Sequence, residues 1–252
     1  MEEIIIRYKT AEGIKNVAEI SLDKTNIQFY DKDIVEFDIS SIVEPTEIEE
    51  IDLRRNQLPK LDLAALQYCP NLKSLRLSGN QLTAINLSPL KHCKRLRILG
   101  ISNNQLKEID LPSLQYCSTL RELYLSDNQL RRIDLAPLRH CPHLQELRLN
   151  WNKVKELDLG PLQYCAELED LVLDRNQLRE IDLSPLQHCT ELRTVKLSEN
   201  QVSSIDLTPL QHCTKLYKLY LSSNPLNKID LTPLLSCQLL ELLSFDSDVE
   251  LV

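Results

Sequence analysis

The stretch LRELYLSDNQLRRIDLAPLRHC, residues 120–141, carries the pattern that decides the fold of this chain. Eight copies of the unit follow one another at a spacing of 24 residues, without insertion or deletion. A residue type that recurs at a fixed period belongs to a repeated architecture, whereas a catalytic constellation is made once. Two sets are therefore predicted to be structural ladders: Asn56, Asn80, Asn104, Asn128, Asn152, Asn176, Asn200 and Asn224, and Cys69, Cys93, Cys117, Cys141, Cys165, Cys189, Cys213 and Cys237.

Each asparagine follows an L-x-x-L-x-L segment, formed in the quoted copy by Leu120, Leu123 and Leu125. Alternating apolar residues predict a short strand with its leucines pointing inward. Successive strands would stack in parallel, about 4.7–4.9 Å apart. A buried asparagine amide supplies two donors and an acceptor, so this ladder can satisfy the backbone groups of the turn.

The second half of each copy, as in IDLSPLQHC at residues 181–189, predicts an extended piece followed by a helical turn. Ser184, Thr208 and Thr232 are expected to be N-caps, with proline at the first helical position. The cysteine that ends each turn is expected to be reduced and packed inside. Disulfides are a weaker alternative, because neighbouring cysteines should point the same way rather than at each other.

The whole unit, L-x-x-L-x-L-x-x-N-x-L-x-x-I-D-L-x-P-L-x-x-C-x-x, resembles the leucine-rich repeat family over about residues 48–248. The resemblance implies an α/β solenoid: a curved horseshoe with a parallel concave β-sheet and short helical turns or extended segments on the convex side. It also implies a non-catalytic module that recognises or scaffolds a partner protein through the concave face. The cysteine-rich flanking caps typical of secreted members are missing, which favours the intracellular type.

Both ends of the array depart from the repeat. Residues 1–47 are predicted to be a β-hairpin cap plus a divergent first repeat, residues 48–239 the eight regular repeats, and residues 240–252 a partial last repeat or C-terminal cap. A cap is needed because an open solenoid end exposes apolar core.

The divergent first repeat is predicted to be stretched to 31 residues. Val17, Ile20 and Leu22 are placed at the strand leucines and Thr25 at the asparagine position. Seven extra residues would then lie between Ile27 and Phe37. In the last repeat, Leu240, Leu243 and Phe245 take strand positions and Asp248 stands where a ninth asparagine would be. The following tail either folds back as a cap or leaves an edge strand open. An open edge strand would allow an end-to-end homodimer.

Charge and composition narrow the classes of partner. The net charge is −8, of which residues 1–47 contribute −6 through 11 acidic and 5 basic residues. A nearly neutral array with an acidic end argues against nucleic acid as a partner. No apolar run approaches the ~20 residues of a membrane span. The start MEEIIIRYKT lacks a signal-peptide core, so a cytoplasmic location is expected.

Chemistry-bearing residues give no catalytic or metal site. His188 beside Cys189 could be a base and a nucleophile, but the pair is one copy among several. His188 and His212 could bind a metal adventitiously, although a dedicated site needs three or four ligands. With 4 glycines the chain has no phosphate-binding loop. We expect neither enzymatic activity nor a cofactor.

The solvent-facing positions of the strands vary while the frame does not, and the centre of the array stands out. The only tryptophan of the chain lies there, with tyrosine and arginine nearby, and these types are enriched at binding hot spots. We define the concave patch as Tyr124, Arg148, Trp151, Val172, Arg175, Glu122, Glu146, Asp170, Lys196 and Tyr220. It is predicted to bind a protein; the alternative is a solvated face with salt bridges between repeats.

A second functional class is a recognition or regulatory module of a larger signalling protein, such as a GTPase or a kinase. The two classes differ in whether the gene continues beyond Val252. Fold alone does not choose between them or identify a partner.

Overall fold

The computed structural model describes residues 3–21 and 25–252, and it contains fifteen strands in those residues. Numbered in chain order, they are β1 Glu3–Thr10, β2 Lys15–Ser21, β3 Asn26–Gln28, β4 Ile34–Asp38, β5 Glu50–Asp52, β6 Ser74–Arg76, β7 Ile98–Gly100, β8 Glu122–Tyr124, β9 Glu146–Arg148, β10 Asp170–Val172, β11 Thr194–Lys196, β12 Lys218–Tyr220, β13 Lys228–Ile229, β14 Leu242–Ser244 and β15 Glu250–Leu251.

Ten of these strands form one parallel sheet, in the order β14-β12-β11-β10-β9-β8-β7-β6-β5-β3. Neighbours in the regular array pair residue for residue at the repeat spacing, so that Leu123 lies opposite Leu147. Leu120, Leu123 and Leu125 are fully buried, as the alternation predicts. The chain is a curved solenoid whose repeats share one continuous interior, which confirms the predicted fold class.

Short 3-10 helices lie on the convex side, one in each regular repeat. Each spans five residues and ends at the residue before a ladder cysteine: Ala64–Tyr68, Ser88–His92, Pro112–Tyr116, Ala136–His140, Gly160–Tyr164, Ser184–His188, Thr208–His212 and Thr232–Ser236.

The predicted N-caps of these helices were wrong. Ser184 lies inside its helix, and the cap residue Leu183 makes no side-chain cap hydrogen bond. The acceptor is instead the aspartate of the IDL segment: Asp182 Oδ1 accepts the Ser184 backbone N–H at 2.8 Å. Asp206 does the same for Thr208 at 2.8 Å. A carboxylate two residues ahead of the donor forms an Asx turn, so the outward-facing aspartates start the turns.

The asparagine ladder joins each repeat to the one before it. Asn128 Oδ1 accepts the Leu106 backbone N–H at 3.1 Å, while its Nδ2 donates to the carbonyls of Ile101 and Leu125 at 3.1 and 3.2 Å. Asn128 is 7% exposed. The other ladder asparagines are equally buried. Each amide thus satisfies backbone groups that would be costly to bury unpaired.

The cysteine ladder is buried, and all eight thiols are free. In Cys141 the Sγ–H donates to the Leu114 carbonyl of the preceding repeat at 3.5 Å. Cys213 makes the same contact with Leu186 at 3.3 Å. Burial raises the pKa of the Cys141 thiol to about 12. These thiols therefore act as small apolar packing groups with a weak donor.

The predicted stretching of the first repeat was wrong. β3 pairs in parallel with β5, placing Ile27 opposite Ile51, so the 24-residue spacing continues without seven extra residues. Ile27 is fully buried at the strand position predicted for Ile20. Val17 and Ile20 lie in β2 instead, antiparallel to β1. The predicted position of Leu22 lies outside the described residues.

The asparagine ladder starts at Asn56, one repeat later than the prediction for Thr25 implies. Asn56 accepts the backbone N–H groups of Lys32 and Ile34 at 3.1 and 3.0 Å. Thr25 precedes β3, and its carbonyl accepts the Glu50 N–H at 3.0 Å. β4 then pairs antiparallel with β1, so a three-stranded sheet in the order β2-β1-β4 adjoins the first repeat.

At the C-terminal end the tail continues the path of the repeats, as a parallel strand, while the last strand of the large sheet keeps a free edge. β15 pairs in parallel with β13, and Val249 is buried. Asp246 accepts the Ser223 backbone N–H at 2.7 Å. Asp248 is exposed, so its predicted place in the asparagine ladder was wrong. Leu243 is only half-buried in β14, where its equivalents in earlier repeats are fully buried.

Candidate protein-binding surface on the concave face

The concave patch lies on strands β8 to β12 and on the turns that follow them. Register places Tyr124 opposite Arg148 on adjacent strands, and Lys196 opposite Tyr220 two strands further on. The parallel sheet holds these side chains on one face because residues at equal positions in neighbouring repeats point the same way. The patch divides into two clusters of contacts, one further cation–aromatic pair and one buried position.

The first cluster is built around Tyr124. Its hydroxyl lies 2.8 Å from Glu122 Oε2 and 2.9 Å from Glu146 Oε2, and with one proton it donates to one carboxylate at a time. Glu122 and Glu146 are directly opposite on β8 and β9, where like charges repel. Burial, followed by the bonds to the two carboxylates, raises the pKa of Tyr124 well above its usual range. The hydroxyl therefore stays protonated as a bridge between two acids.

Arg148 adds the positive charge that this acidic pair needs. Its Nη2 lies 2.8 Å from Glu146 Oε2 and 3.8 Å from Asp170 Oδ2. Its guanidinium carbon is 5.5 Å from the centroid of the Tyr124 ring. The cluster is thus partly self-neutralised, as expected for ion pairs at a half-exposed surface.

The second cluster is a stack of three side chains from successive repeats. The guanidinium carbon of Arg175 lies 3.8 Å from the centroid of the Trp151 ring. Arg175 Nη2 also lies 2.6 Å from Glu199 Oε1. Trp151 is 50% exposed. A guanidinium over a half-exposed indole is a cation–π contact that presents aromatic surface to solvent.

The backbone beneath this stack is left-handed. Trp151, Arg175 and Glu199 have φ values of +57°, +55° and +55°. The equivalent position is occupied by Gly79 in an earlier repeat, with φ +73°. A left-handed residue that is neither Gly, Asn nor Asp carries a cost of about 1–2 kcal/mol. Sequence patterns did not show this cost, because they treat the position before the asparagine simply as variable.

Val172 does not belong to an exposed surface. It is 6% exposed, between Arg148 and Lys196 on the adjacent strands. Its predicted role as a solvent-facing binding residue was therefore wrong. Lys196 Nζ lies 5.3 Å from the Tyr220 ring centroid. This pair is a further cation–aromatic contact, closer to the C-terminal end.

Asp174 is a member of the region that the sequence interpretation missed. Its backbone carbonyl accepts the Trp151 N–H at 3.0 Å, but its Oδ1 is buried without a hydrogen-bond partner. Burial raises the pKa of this carboxyl. The equivalent position in the other repeats holds mainly serine, including Ser126 and Ser198, and this difference was the available signal. An acid replacing serine at a half-buried position is a destabilising choice that packing alone does not explain.

Within residues 3–21 and 25–252 no group of three or more His, Cys, Asp or Glu side chains is arranged to hold a metal ion. In that same part of the chain, no helix has the length and apolar character needed to cross a bilayer.

Comparison with known proteins identifies the family. A family model described as leucine rich repeat matches residues 46–106, 94–154 and 166–226, which together exceed half of the chain. The chain belongs to the leucine-rich repeat family. The predicted resemblance is confirmed, and leucine-rich repeat folds generally mediate protein–protein interaction. No curated protein matches the chain.

Solved leucine-rich repeat structures share the fold. Internalin C2 from Listeria monocytogenes is 29% identical, with 75% of this chain and 74% of that chain covered and a TM-score of 0.56. The functional domain of InlJ from Listeria monocytogenes, which includes a cysteine ladder, is 22% identical, with 93% and 56% covered and a TM-score of 0.58. At this identity InlJ supports the fold alone.

A third structure is a complex. The leucine-rich repeat ectodomain of the plant membrane receptor kinase GASSHO1/SCHENGEN3 from Arabidopsis thaliana was solved with CASPARIAN STRIP INTEGRITY FACTOR 2. It is 28% identical, with 81% of this chain and 27% of that chain covered and a TM-score of 0.60.

Proposed function

We propose that this leucine-rich repeat protein is a non-catalytic recognition module that binds a partner protein through the concave patch. The observation that carries the proposal is the Trp151–Arg175 stack, in which a half-exposed indole lies 3.8 Å from a guanidinium. Tryptophan, tyrosine and arginine dominate binding hot spots, because they bury large areas with little loss of conformational freedom.

The type of side chain in the stack, rather than its backbone conformation, supports the same proposal. Three adjacent repeats place Trp151, Arg175 and Glu199 where Gly79 shows that glycine fits. The same left-handed backbone recurs at Arg55 and Ser223, outside the concave patch, so it is a property of the repeat turn and does not mark the site. The alternative, a solvated face with ion pairs between repeats, explains the Arg175–Glu199 pair but gives no reason for an exposed indole.

The electrostatics indicate a partner with groups of both signs. The acidic side chains beside Arg148 are Glu122, Glu146 and Asp170. Two further basic residues, Arg175 and Lys196, belong to the next two repeats. Such an arrangement gives specificity and register more than raw affinity. In the Arabidopsis relative the repeat domain is seen in complex with another factor, and this supports a comparable use of the fold here.

The test combines affinity capture with variants matched in backbone position. The wild-type protein is used as bait in extract of the source cells, and captured proteins are identified by mass spectrometry. The bait is then replaced by Trp151→Gly, by Arg175→Gly and by the control Arg55→Gly. All three positions have a left-handed backbone, but Arg55 lies outside the concave patch.

We expect the first two variants to lose the captured partner at least about tenfold, while thermal stability is kept or rises because strain is relieved. The Arg55→Gly control is expected to retain the partner. If all three baits capture the same proteins equally, the concave patch is not the binding surface.

We also propose a reducing, cytoplasmic location, supported by eight free buried thiols. The alternative of a recognition module within a larger signalling protein rests on the fold's use as the ectodomain of a receptor kinase in the Arabidopsis relative. The mass of the native protein on an immunoblot of source-cell extract separates the two. A band near 29.1 kDa supports the separate protein, whereas a much larger band supports the module.

A further inference from the structure

A groove of about 680 Å³ lies on the convex side, away from the concave patch. We call it the convex groove, and it spans three successive repeats. Its lining is Lys60 and Leu61 from the first, residues 84–88 and Lys91 from the second, and Asp110, Pro112, Ser113, Gln115 and Tyr116 from the third. Its volume is within the range of about 300–1,000 Å³ that holds small ligands. Ile85 and Leu87 give it an apolar floor.

The groove coincides with a departure in the repeat. Six of the eight regular repeats carry a small residue followed by proline, such as Ser184–Pro185 and Ala136–Pro137, and the first carries Ala64–Ala65, whereas here the order is reversed to Pro112–Ser113. Matching positions of the repeats hold the solenoid together. A repeat that departs from the pattern can therefore carry a separate function.

The reversal leaves a carboxylate without its usual partner. In the repeat at 182 the aspartate accepts the N–H two residues later, that of Ser184, at 2.8 Å. Asp110 has no such donor, because Pro112 lacks an N–H. Within the described residues the Asp110 carboxylate makes no hydrogen bond or ion pair, and it lines the groove.

The reversal also buries a hydroxyl. Ser113 lines the groove, is only 7% exposed, and its Oγ has no hydrogen-bond partner. An unsatisfied buried hydroxyl costs about 1–3 kcal/mol. Because the Oγ has almost no accessible surface, a ligand in the groove cannot reach it, and the hydroxyl marks the departure in this repeat without forming part of the binding surface.

Two lysines supply positive charge at the same place. Lys60 and Lys91 line the groove, and neither forms an ion pair in the part of the chain that the structure describes. Asn86 stands where most repeats have an aspartate, which removes one negative charge from the groove.

A second groove further along the convex side has the opposite character. Its volume is about 700 Å³. Its lining includes the carboxylates of Glu156, Asp158, Glu180, Asp182 and Asp206, with no lysine or arginine. Two grooves of equal size with opposite charge show that the positive lining is not a consequence of the repeat.

We propose that the convex groove binds an apolar carboxylate that carries an amide N–H beside the acid. The carboxylate contacts Lys60 and Lys91, the N–H donates to Asp110, and the apolar body lies on Ile85 and Leu87. N-acylated amino acids and the C-terminal residue of a polypeptide share this chemistry. The site is separate from the concave patch, and its occupancy is independent of the proposed protein partner.

The test is a titration of ¹⁵N-labelled protein with N-acetyl-L-phenylalanine, followed by amide chemical shifts. We expect saturable shifts confined to the residues of the convex groove. The uncharged N-acetyl-L-phenylalaninamide should bind roughly tenfold more weakly, because it loses a charge-assisted bond to lysine. Equal affinity for acid and amide, or shifts spread over both grooves, would overturn the proposal.

Variants make the result specific. Pro112→Ala with Ser113→Pro recreates the Ala136–Pro137 order that this chain already folds, and it should abolish binding. Lys91→Gln should weaken binding about tenfold. Arg139→Gln, the equivalent position two repeats along, should leave it unchanged. Thermal melting checks that each variant is folded. Undiminished binding by the folded double variant would place the ligand elsewhere.

A second arm distinguishes the two sources of the ligand. A hexapeptide that ends in phenylalanine with a free carboxylate is titrated beside the free N-acetyl amino acid. Binding of the peptide at least as tight indicates a polypeptide C-terminus. Much weaker binding of the peptide indicates a free acylated amino acid, and failure of both probes to bind rejects the site.

Discussion

The Asn104 side chain connects two repeats: its Oδ1 accepts the Leu82 backbone N–H at 3.0 Å, within a side chain that is 9% exposed. Its Nδ2 also donates to the Leu77 and Ile101 carbonyls, both at 3.1 Å. One amide thus replaces water for three backbone groups at the point where the chain leaves the sheet. The same relation recurs along the array, so the ladder contributes to every interface between repeats.

Replacing Asn104 should therefore destabilise the whole chain. Asn104→Ala leaves the buried Leu82 N–H unpaired and removes one of two amide bonds from each of the Leu77 and Ile101 carbonyls. We expect a loss of about 2 kcal/mol in the free energy of unfolding, measured by urea denaturation. Gln105→Ala is the matched control, since Gln105 is exposed and adjacent, and its loss should stay within about 0.5 kcal/mol. Equal effects of the two changes would remove the asparagines from the structural frame.

Asp174 predicts a pH-dependent stability with a definite sign. Burial raises its folded-state pKa above the ordinary 3.8, so folding favours the protonated form. Its stabilising contribution is complete below that ordinary pKa and is lost as the pH rises through the folded value. Asp174→Ser, which restores the residue found at the equivalent position, Ser198, should be more stable than wild type at about pH 7, by about 1 kcal/mol.

The comparison at acid pH supplies the check on Asp174. The advantage of Asp174→Ser should shrink toward about pH 3, where the wild-type carboxyl is protonated in both states. Asp248→Ser, which changes an exposed acid, serves as the control and should show no such trend. A wild type that is more stable than Asp174→Ser at neutral pH would mean that Oδ1 has a partner.

Self-association through the C-terminal repeat stays a prediction, and light scattering tests it. Leu235 and Leu239 are 80% and 57% exposed, and β14 has one neighbour in the sheet. A second copy adding its own β14 would pair this edge with two-fold symmetry. The average mass should rise with concentration for the wild type and not for Leu239→Lys. Val17→Lys at the other end, where Val17 is 62% exposed, is the control. A strictly monomeric wild type at high concentration would end the prediction.

The regular repeats could be predicted because side-chain type and spacing carry the same information in each copy. Leu123 and Leu147 are opposite in the sheet because they are 24 positions apart. The first repeat could not be predicted this way. The apolar residues Val17 and Ile20 of a hairpin strand alternate much as strand leucines do, and only the pairing of Asn26 with Glu50 shows the true register.

The candidate surface was predicted in outline but not in conformation. Exposure of Trp151 follows from its place in the repeat, whereas its left-handed backbone depends on the turn that follows each strand. Burial of Val172 depends on the long side chains of Arg148 and Lys196 on either side, which a single repeat does not reveal. The role of Asp182 as a cap was missed because serine and threonine also favour helix starts.

The central claim is that matching positions of the repeats form one shared interior, and the most direct measurement is the alkylation of the eight cysteines. Native protein is treated with iodoacetamide at about pH 8 and analysed by mass spectrometry over time, with urea-unfolded protein as reference. Burial raises the pKa of Cys141 to about 12, so thiolate is scarce as well as covered. The account predicts no rapid modification of the native chain, full modification after unfolding, and Cys237 in the half-open last repeat as the first to react. Several cysteines reacting in the native chain as fast as in the unfolded one would contradict it.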